Sequence, residues 1–256
     1  MLNNIFDSHA HYNDRSFDND REELLEKLPS MGVSYVVNIG ASMKDSEDIL
    51  KLVKKYSYIY GALGVHPDDA GKTPEGYISE LEKQILSEPK IRAVGEIGLD
   101  YHYEGYDKEL QKELFEDQLK LAEKLGMPVV IHSRDACEDT MTLLEKYSPK
   151  GVMHCFGYSA ETAKQIIKMG MYIGFTGVLT FKNAKKALKA LKEVPLDRLL
   201  LETDCPYMAP EPYRGKRSDS SMIEKTAQKA AEVYGIPAQE LLDITNENAK
   251  RFYGIE

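Results

Sequence analysis

The sequence predicts a single (β/α)₈ TIM barrel over residues 1–256. Three observations predict it. Eight short apolar runs alternate with longer amphipathic, charged segments from end to end, the pattern of parallel strands covered by helices. The length of 256 residues matches the fold. No G-x-G-x-x-G follows the first run, which disfavours a doubly wound open sheet.

The first run covers residues 5–9, and the segment 20–31 reads as a helix stopped by Gly32. Run two (35–39) leads into a helix at 45–56, and run three (59–65) into a shorter one at 74–87. Run four (91–97) precedes the long helix 107–125, closed by Gly126. Runs five (128–132), six (151–155) and seven (171–175) are followed by helices at 136–147, 160–169 and 182–194, the second of these stopped by Gly170. Run eight (199–203) gives way to a polar loop rich in Pro and Gly at 205–221. Two last helices follow at about 222–234 and 237–252. No repeat, low-complexity tract or linker marks a domain boundary.

An apolar fraction of 42% and a charged fraction of 29% describe an ordinary globular chain. No stretch reaches the ~20 apolar residues of a membrane span, and the N-terminus lacks a signal-peptide pattern. Cys137, Cys155 and Cys205 form no C-x-x-C pair, so the chain reads as reduced and cytoplasmic, without a disulfide framework or structural zinc site. Nothing in the sequence calls for a membrane or an obligate protein partner. The net charge of −9 excludes a broad basic coat for nucleic acid. It does not exclude a nucleic-acid enzyme, because bound cations and a local basic patch can neutralise phosphates where it matters.

The chemistry gathers at strand ends. His9 and His11, in Asp7-Ser8-His9-Ala10-His11, close the first strand; His66 closes the third, His132 the fifth and His154 the sixth. Glu96 lies near the end of the fourth strand and Asp204 at the end of the eighth. In a barrel these positions converge on the rim where active sites are built. His9, His11, Glu96, His132, His154 and Asp204 are too many ligands for one open catalytic zinc. They suit two divalent ions (zinc, magnesium or manganese), with Glu96 as the bridging carboxylate. Asp204 can also accept a proton from a water.

Other residues share the rim. Asp7, two before His9, faces the same side and orients a ligand. Glu202, two before Asp204, either orients a ligand histidine or makes a structural ion pair. Asp100 and Tyr101 serve as ligand orienter or substrate clamp. Arg134 points to the mouth as an anion binder, or pairs with a neighbouring acid. His66 binds phosphate or metal, or hydrogen-bonds its loop. The basic loop Tyr213-Arg214-Gly215-Lys216-Arg217 either grips a phosphate backbone or is solvated surface. His102 reads as a loop residue. The thiols of Cys155 and Cys205 are expected to face away from the ligands.

At these residues the chain closely resembles the TatD family of metal-dependent deoxyribonucleases, within the amidohydrolase-like barrel superfamily. The matching motifs are the His9/His11 segment, Gly64-Val65-His66-Pro67, Gly95-Glu96-Ile97-Gly98-Leu99-Asp100-Tyr101, His132-Ser133-Arg134-Asp135-Ala136, His154-Cys155-Phe156, Glu202-Thr203-Asp204-Cys205-Pro206-Tyr207 and Arg214-Gly215-Lys216-Arg217. The resemblance implies the same six metal ligands, with Glu96 standing where many related barrels carry a modified lysine. It also implies a DNA substrate with single-stranded or damaged ends, cut from the 3′ end, and phosphate contacts from His66, Arg214, Lys216 and Arg217. Two departures bear on substrate preference. Ser218-Asp219-Ser220 stands where the family has Asn-Glu-Pro, and Gly157-Tyr158 where it has Ser-Gly. The alternatives are a hydrolase of a small amide, lactone or ester on the same barrel, and a non-catalytic binding scaffold.

Overall fold

The computed structural model describes residues 2–256. Its strands are β1 (Ile5–Ala10), β2 (Val33–Ile39), β3 (Ile59–Leu63), β4 (Ile91–Asp100), β5 (Val129–Arg134), β6 (Gly151–Met153), β7 (Tyr172–Phe175) and β8 (Leu199–Leu201). They form one sheet in chain order. Ala10 bridges Cys205 in parallel, so the last strand returns to the first and the fold is a nearly closed (β/α)₈ barrel. The helices are α1 (Arg21–Lys27), α2 (Ser46–Lys55), α3 (Tyr77–Leu86), α4 (Lys108–Leu125), α5 (Cys137–Tyr147), α6 (Ala160–Lys168), α7 (Lys185–Leu191), α8 (Ile223–Tyr234) and α9 (Ala238–Tyr253). No described helix is long and apolar enough to cross a membrane.

Contacts gather the described chain into two compact units. The first runs to Asn38 and adds Cys155–Lys168 and Tyr172–Glu256. Its core is built on β1, β7 and β8, where Ile5, Ile173, Leu199 and Leu200 are fully buried. The C-terminal helix α9 covers these strands: Phe6 stacks on Tyr253 at 6.2 Å, and Tyr172 meets Phe252 at 5.2 Å. The second unit comprises Ile39–His154 and Met169–Met171. Here β3 to β6 pair in parallel, with Val94 opposite Val129 and Val129 opposite Gly151. Ile59, Ile97, Val130 and Ile131 are fully buried. Each such side chain contributes about 1.5–3 kcal/mol by leaving water.

Helix ends follow local chemistry. Asp107 caps α4 by accepting from the N–H groups of Glu109 and Leu110. The expected helix at 20–31 is instead α1 plus a 3-10 turn over Leu28–Met31, because Pro29 cannot supply an N–H to continue the α-helical ladder. β6 and β8 are two residues shorter than expected at their C-terminal ends, which leaves His154, Thr203 and Asp204 on the following loops. β4 and β5 run on to Asp100 and Arg134. Gly98, opposite His132, permits that close pairing. Its φ is 145°, and a Cβ there would collide with the His132 carbonyl oxygen.

Candidate metal centre

In the first unit, β1 and the loops just past β1 and β8 carry one set of donors. The Asp204 N–H donates to the His9 carbonyl at 2.9 Å, and the His11 N–H to the Cys205 carbonyl at 2.8 Å. This ladder brings three side chains together. The Nε2 atoms of His9 and His11 are 3.0 Å apart, and Asp204 Oδ1 lies 3.3 Å from His11 Nε2 and 3.7 Å from His9 Nε2. Asp204 takes φ 58°, a left-handed conformation uncommon for a non-glycine residue. Such outliers concentrate at functional sites.

A buried network fixes that ladder from below. Asp7 Oδ1 accepts from the N–H groups of His9 at 3.3 Å and Thr203 at 3.0 Å. Its Oδ2 accepts from the hydroxyls of Thr203 at 2.6 Å and Ser220 at 2.7 Å. Burial pushes the Asp7 carboxyl up to about 7, against those four donors. Asp7 thus orients the backbone that carries His9 and Asp204. Ser220 also shares a 2.7 Å hydrogen bond with the Tyr12 hydroxyl, so two residues of the Ser218-Asp219-Ser220 departure, Ser218 and Ser220, are fully buried. Ser220→Ala removes one donor from a buried carboxyl and is expected to cost about 1–3 kcal/mol. Urea melts of the variant check this, and an unchanged midpoint would contradict it.

Glu202 is buried beside this set. Its Oε1 accepts from the Cys155 N–H at 2.5 Å, and Oε2 lies 3.5 Å from the Ser8 hydroxyl. Gly174 makes room for it, since a Cβ there would collide with Oε2. Cys155 Sγ rests 3.7 Å from the Thr176 hydroxyl, and Cys205 is fully buried.

In the second unit, Glu96 Oε1 is the hub. It lies 2.7 Å from His154 Nε2, 3.0 Å from His132 Nδ1 and 3.8 Å from His66 Nε2. His132 Nδ1 and His154 Nε2 are 3.2 Å apart. His66, Glu96 and His132 form a group able to hold a metal ion. On its far side, His132 Nε2 meets Asp100 Oδ2 at 3.0 Å. This carboxylate–imidazole pair directs the Nε2 proton at Asp100, so that Nδ1, once deprotonated, offers its lone pair to a cation beside Glu96 and His154. Burial opposes charge on His132, yet Asp100 and Glu96 hold its pKa above the usual imidazole range. Burial likewise works against Asp100, but His132 and the His102 N–H hold its carboxyl below the usual range. His66 Nδ1 accepts from the Asp68 N–H at 3.2 Å, and burial, then neighbouring His132, drops its pKa to about 3. His66 is therefore neutral, and with Nδ1 accepting from Asp68 its proton sits on Nε2 unless an ion takes that place.

Each set opposes lone pairs of imidazole nitrogen and carboxylate oxygen that cannot all be satisfied by protons. A divalent cation resolves that opposition, so the donors fit a metal centre.

The other residues singled out in the sequence are more dispersed. Arg134 donates from Nη1 to the Tyr103 hydroxyl at 3.2 Å. Tyr101 donates to Asp139 at 2.9 Å and stacks on Tyr106 at 4.8 Å. Arg214 lies 4.3 Å from the Phe181 ring centroid, whereas Arg217 grips Asp20 at 2.7 and 2.5 Å. Lys216 is exposed. His102 pairs with Asp135 at 2.7 Å. Thr203, Ser220, Tyr12 and Tyr103 were not legible in the sequence as site residues. The first three are distant partners in one buried network, and no periodicity announces them.

A family model described as TatD related DNase matches residues 6–254. The uncharacterized metal-dependent hydrolase YabD of Bacillus subtilis is 41% identical, over 98% of this chain and 99% of that one. A 3′-5′ ssDNA/RNA exonuclease TatD of Shigella flexneri is 31% identical, with 98% and 99% covered. Among solved structures, the TatD homologue YjjV of Escherichia coli superposes with a TM-score of 0.94 at 28% identity, over 100% of both chains.

Proposed function

Since the chain belongs to the TatD-related DNase family and is a metal-dependent hydrolase, we propose that it is a 3′-5′ exonuclease acting on single-stranded DNA ends. His9, His11 and Asp204 hold one divalent ion, and Glu96, His132 and His154 hold a second. The whole chain, 1–256, acts as one domain. It requires no protein partner, because one chain supplies both sets. Zinc, magnesium or manganese in these sets would supply Lewis acidity toward the phosphate and a lowered pKa for the attacking water. The observation that carries this reading is the convergence of nitrogen and oxygen donors in each unit, at 3.0–3.7 Å among His9, His11 and Asp204 and 2.7–3.2 Å among Glu96, His132 and His154. The three thiols suit a reducing cytoplasm.

The chain's own groups then have distinct tasks. Asp204, whose Oδ1 lies beside both imidazoles, keeps its second carboxylate oxygen to accept the proton released by the water. Asp100 fixes the tautomer of His132, and Asp7 fixes the backbone on which His9 and Asp204 ride. His66, neutral with its proton on Nε2, donates to a phosphate oxygen. Arg134 binds phosphate near His132, while Arg214 and Lys216 hold the strand farther along. Arg217, paired with Asp20, anchors the loop that presents them.

End-labelled single- and double-stranded DNA and RNA, incubated with metal-reconstituted protein, test this reading. The expected result is a ladder that shortens from the 3′ end of single-stranded DNA. Turnover of a small ester with no cut in any nucleic acid would contradict it. Removing Arg214 and Lys216 together should flatten the salt dependence of single-strand binding by a log–log slope of about 1.4. Arg217→Ala should destabilise the loop and leave that slope close to wild type.

A further inference from the structure

We propose that the loop 101–106 and Arg134 form a subsite that stacks one unpaired base of a single strand and holds its phosphate beside His132. The proposal rests on the nuclease reading above. Exposed large hydrophobic side chains are few among the described residues, and two of them, Tyr103 at 58% and Tyr106 at 43%, lie on this one loop. The loop is latched to the catalytic set: Asp100 Oδ2 meets His132 Nε2 at 3.0 Å while its Oδ1 accepts from the His102 N–H at 2.8 Å. The Tyr101 N–H donates to the Arg134 carbonyl at 2.9 Å, joining the loop to the end of β5.

The aromatic faces are arranged for stacking. Tyr101 is held by its bond to Asp139 and forms a floor on which Tyr106 lies, at 4.8 Å and 9° between planes. Tyr106 thus keeps its outer side toward solvent. Tyr103 carries the Arg134 guanidinium 5.1 Å from its ring centroid. Among the described residues Arg134 forms no ion pair within 4.0 Å, and neighbouring Asp135 pairs with His102 instead. A guanidinium has five N–H donors, and the contact to Tyr103 takes one. The others can grip a phosphate bidentately. Exposed aromatic faces beside a guanidinium suit bases free of a duplex, because paired bases offer no open face. In a chain of net charge −9, a local cation of this kind is also what a polyanion needs.

The test compares kcat/KM on a single-stranded oligonucleotide, on the same strand with abasic sites at its 3′-terminal positions, and on bis(4-nitrophenyl) phosphate. Wild type is expected to prefer the intact strand by about tenfold or more. Tyr103→Ala and Tyr106→Ala should each lose about tenfold on the intact strand and much of that preference. Their loss on the small diester should be clearly smaller, and Tyr103→Phe, which keeps the ring face and removes only the hydroxyl that accepts from Arg134, should lose less on the intact strand than Tyr103→Ala. Equal losses on strand and small diester, or a wild type that cuts the abasic strand as fast, would overturn the subsite. Wild type that cuts the small diester but no strand overturns the nuclease reading itself, before any variant is made.

Discussion

His132→Ala should strip metal from the second set and lower phosphodiester turnover by roughly a thousandfold or more, while the barrel remains folded. Both ring nitrogens of His132 are committed: Nε2 to Asp100 at 3.0 Å, Nδ1 toward Glu96 at 3.0 Å and His154 at 3.2 Å. Truncation removes a donor from the set and leaves Asp100 and Glu96 facing the cavity without the imidazole between them. The strands beneath are held by Val94, Val129 and Ile131, all fully buried and untouched by the change, so far-UV circular dichroism should match wild type. Metal analysis after gel filtration, beside turnover of a DNA strand, checks the expectation. Full metal content in the variant would remove His132 from the ligand set.

Asp204→Asn is expected to lower kcat by about 10²–10⁴-fold with metal still bound. The amide keeps an oxygen near His9 and His11 but cannot accept a proton. Its backbone role survives, since the Asp204 N–H to the His9 carbonyl does not involve the side chain. A variant with wild-type turnover would show that another group takes the proton. A variant that loses its metal would place Asp204 chiefly as a ligand.

The fold and the donor residues could be read in the sequence for local reasons. Strand and helix periodicities repeat within a few residues, and each donor sits at or just past the end of an apolar run. The support beneath the donors was not readable, because its partners are far apart in the chain. Asp7 and Ser220 are separated by 213 positions, and Asp20 and Arg217 by 197. Motif spacing placed Asp7 beside His9 but could not show that its carboxyl reaches backbone N–H groups and two hydroxyls. Arg217 read as one of three equivalent cations, yet its bidentate pair with Asp20 sets it apart from Arg214 and Lys216. For Glu202 the sequence left an orienting role and an ion pair open. The carboxyl accepts the Cys155 N–H, one residue past His154, a contact that no spacing announces. The left-handed φ values of Cys155, 43°, and Asp204, 58°, were also hidden, since nothing in a non-glycine residue signals that conformation. The loop 101–106 has no period at all, so only the folded arrangement displays its tyrosines.

We propose that each three-residue set holds an ion and that hydrolysis needs both. Metal-free protein titrated with manganese, with bound metal per chain and single-strand cleavage read at every step, tests it most directly. Activity that stays near baseline through the first equivalent and reaches its maximum at the second is the predicted result. Full activity at one equivalent, or undiminished cleavage by the metal-free chain, would contradict it.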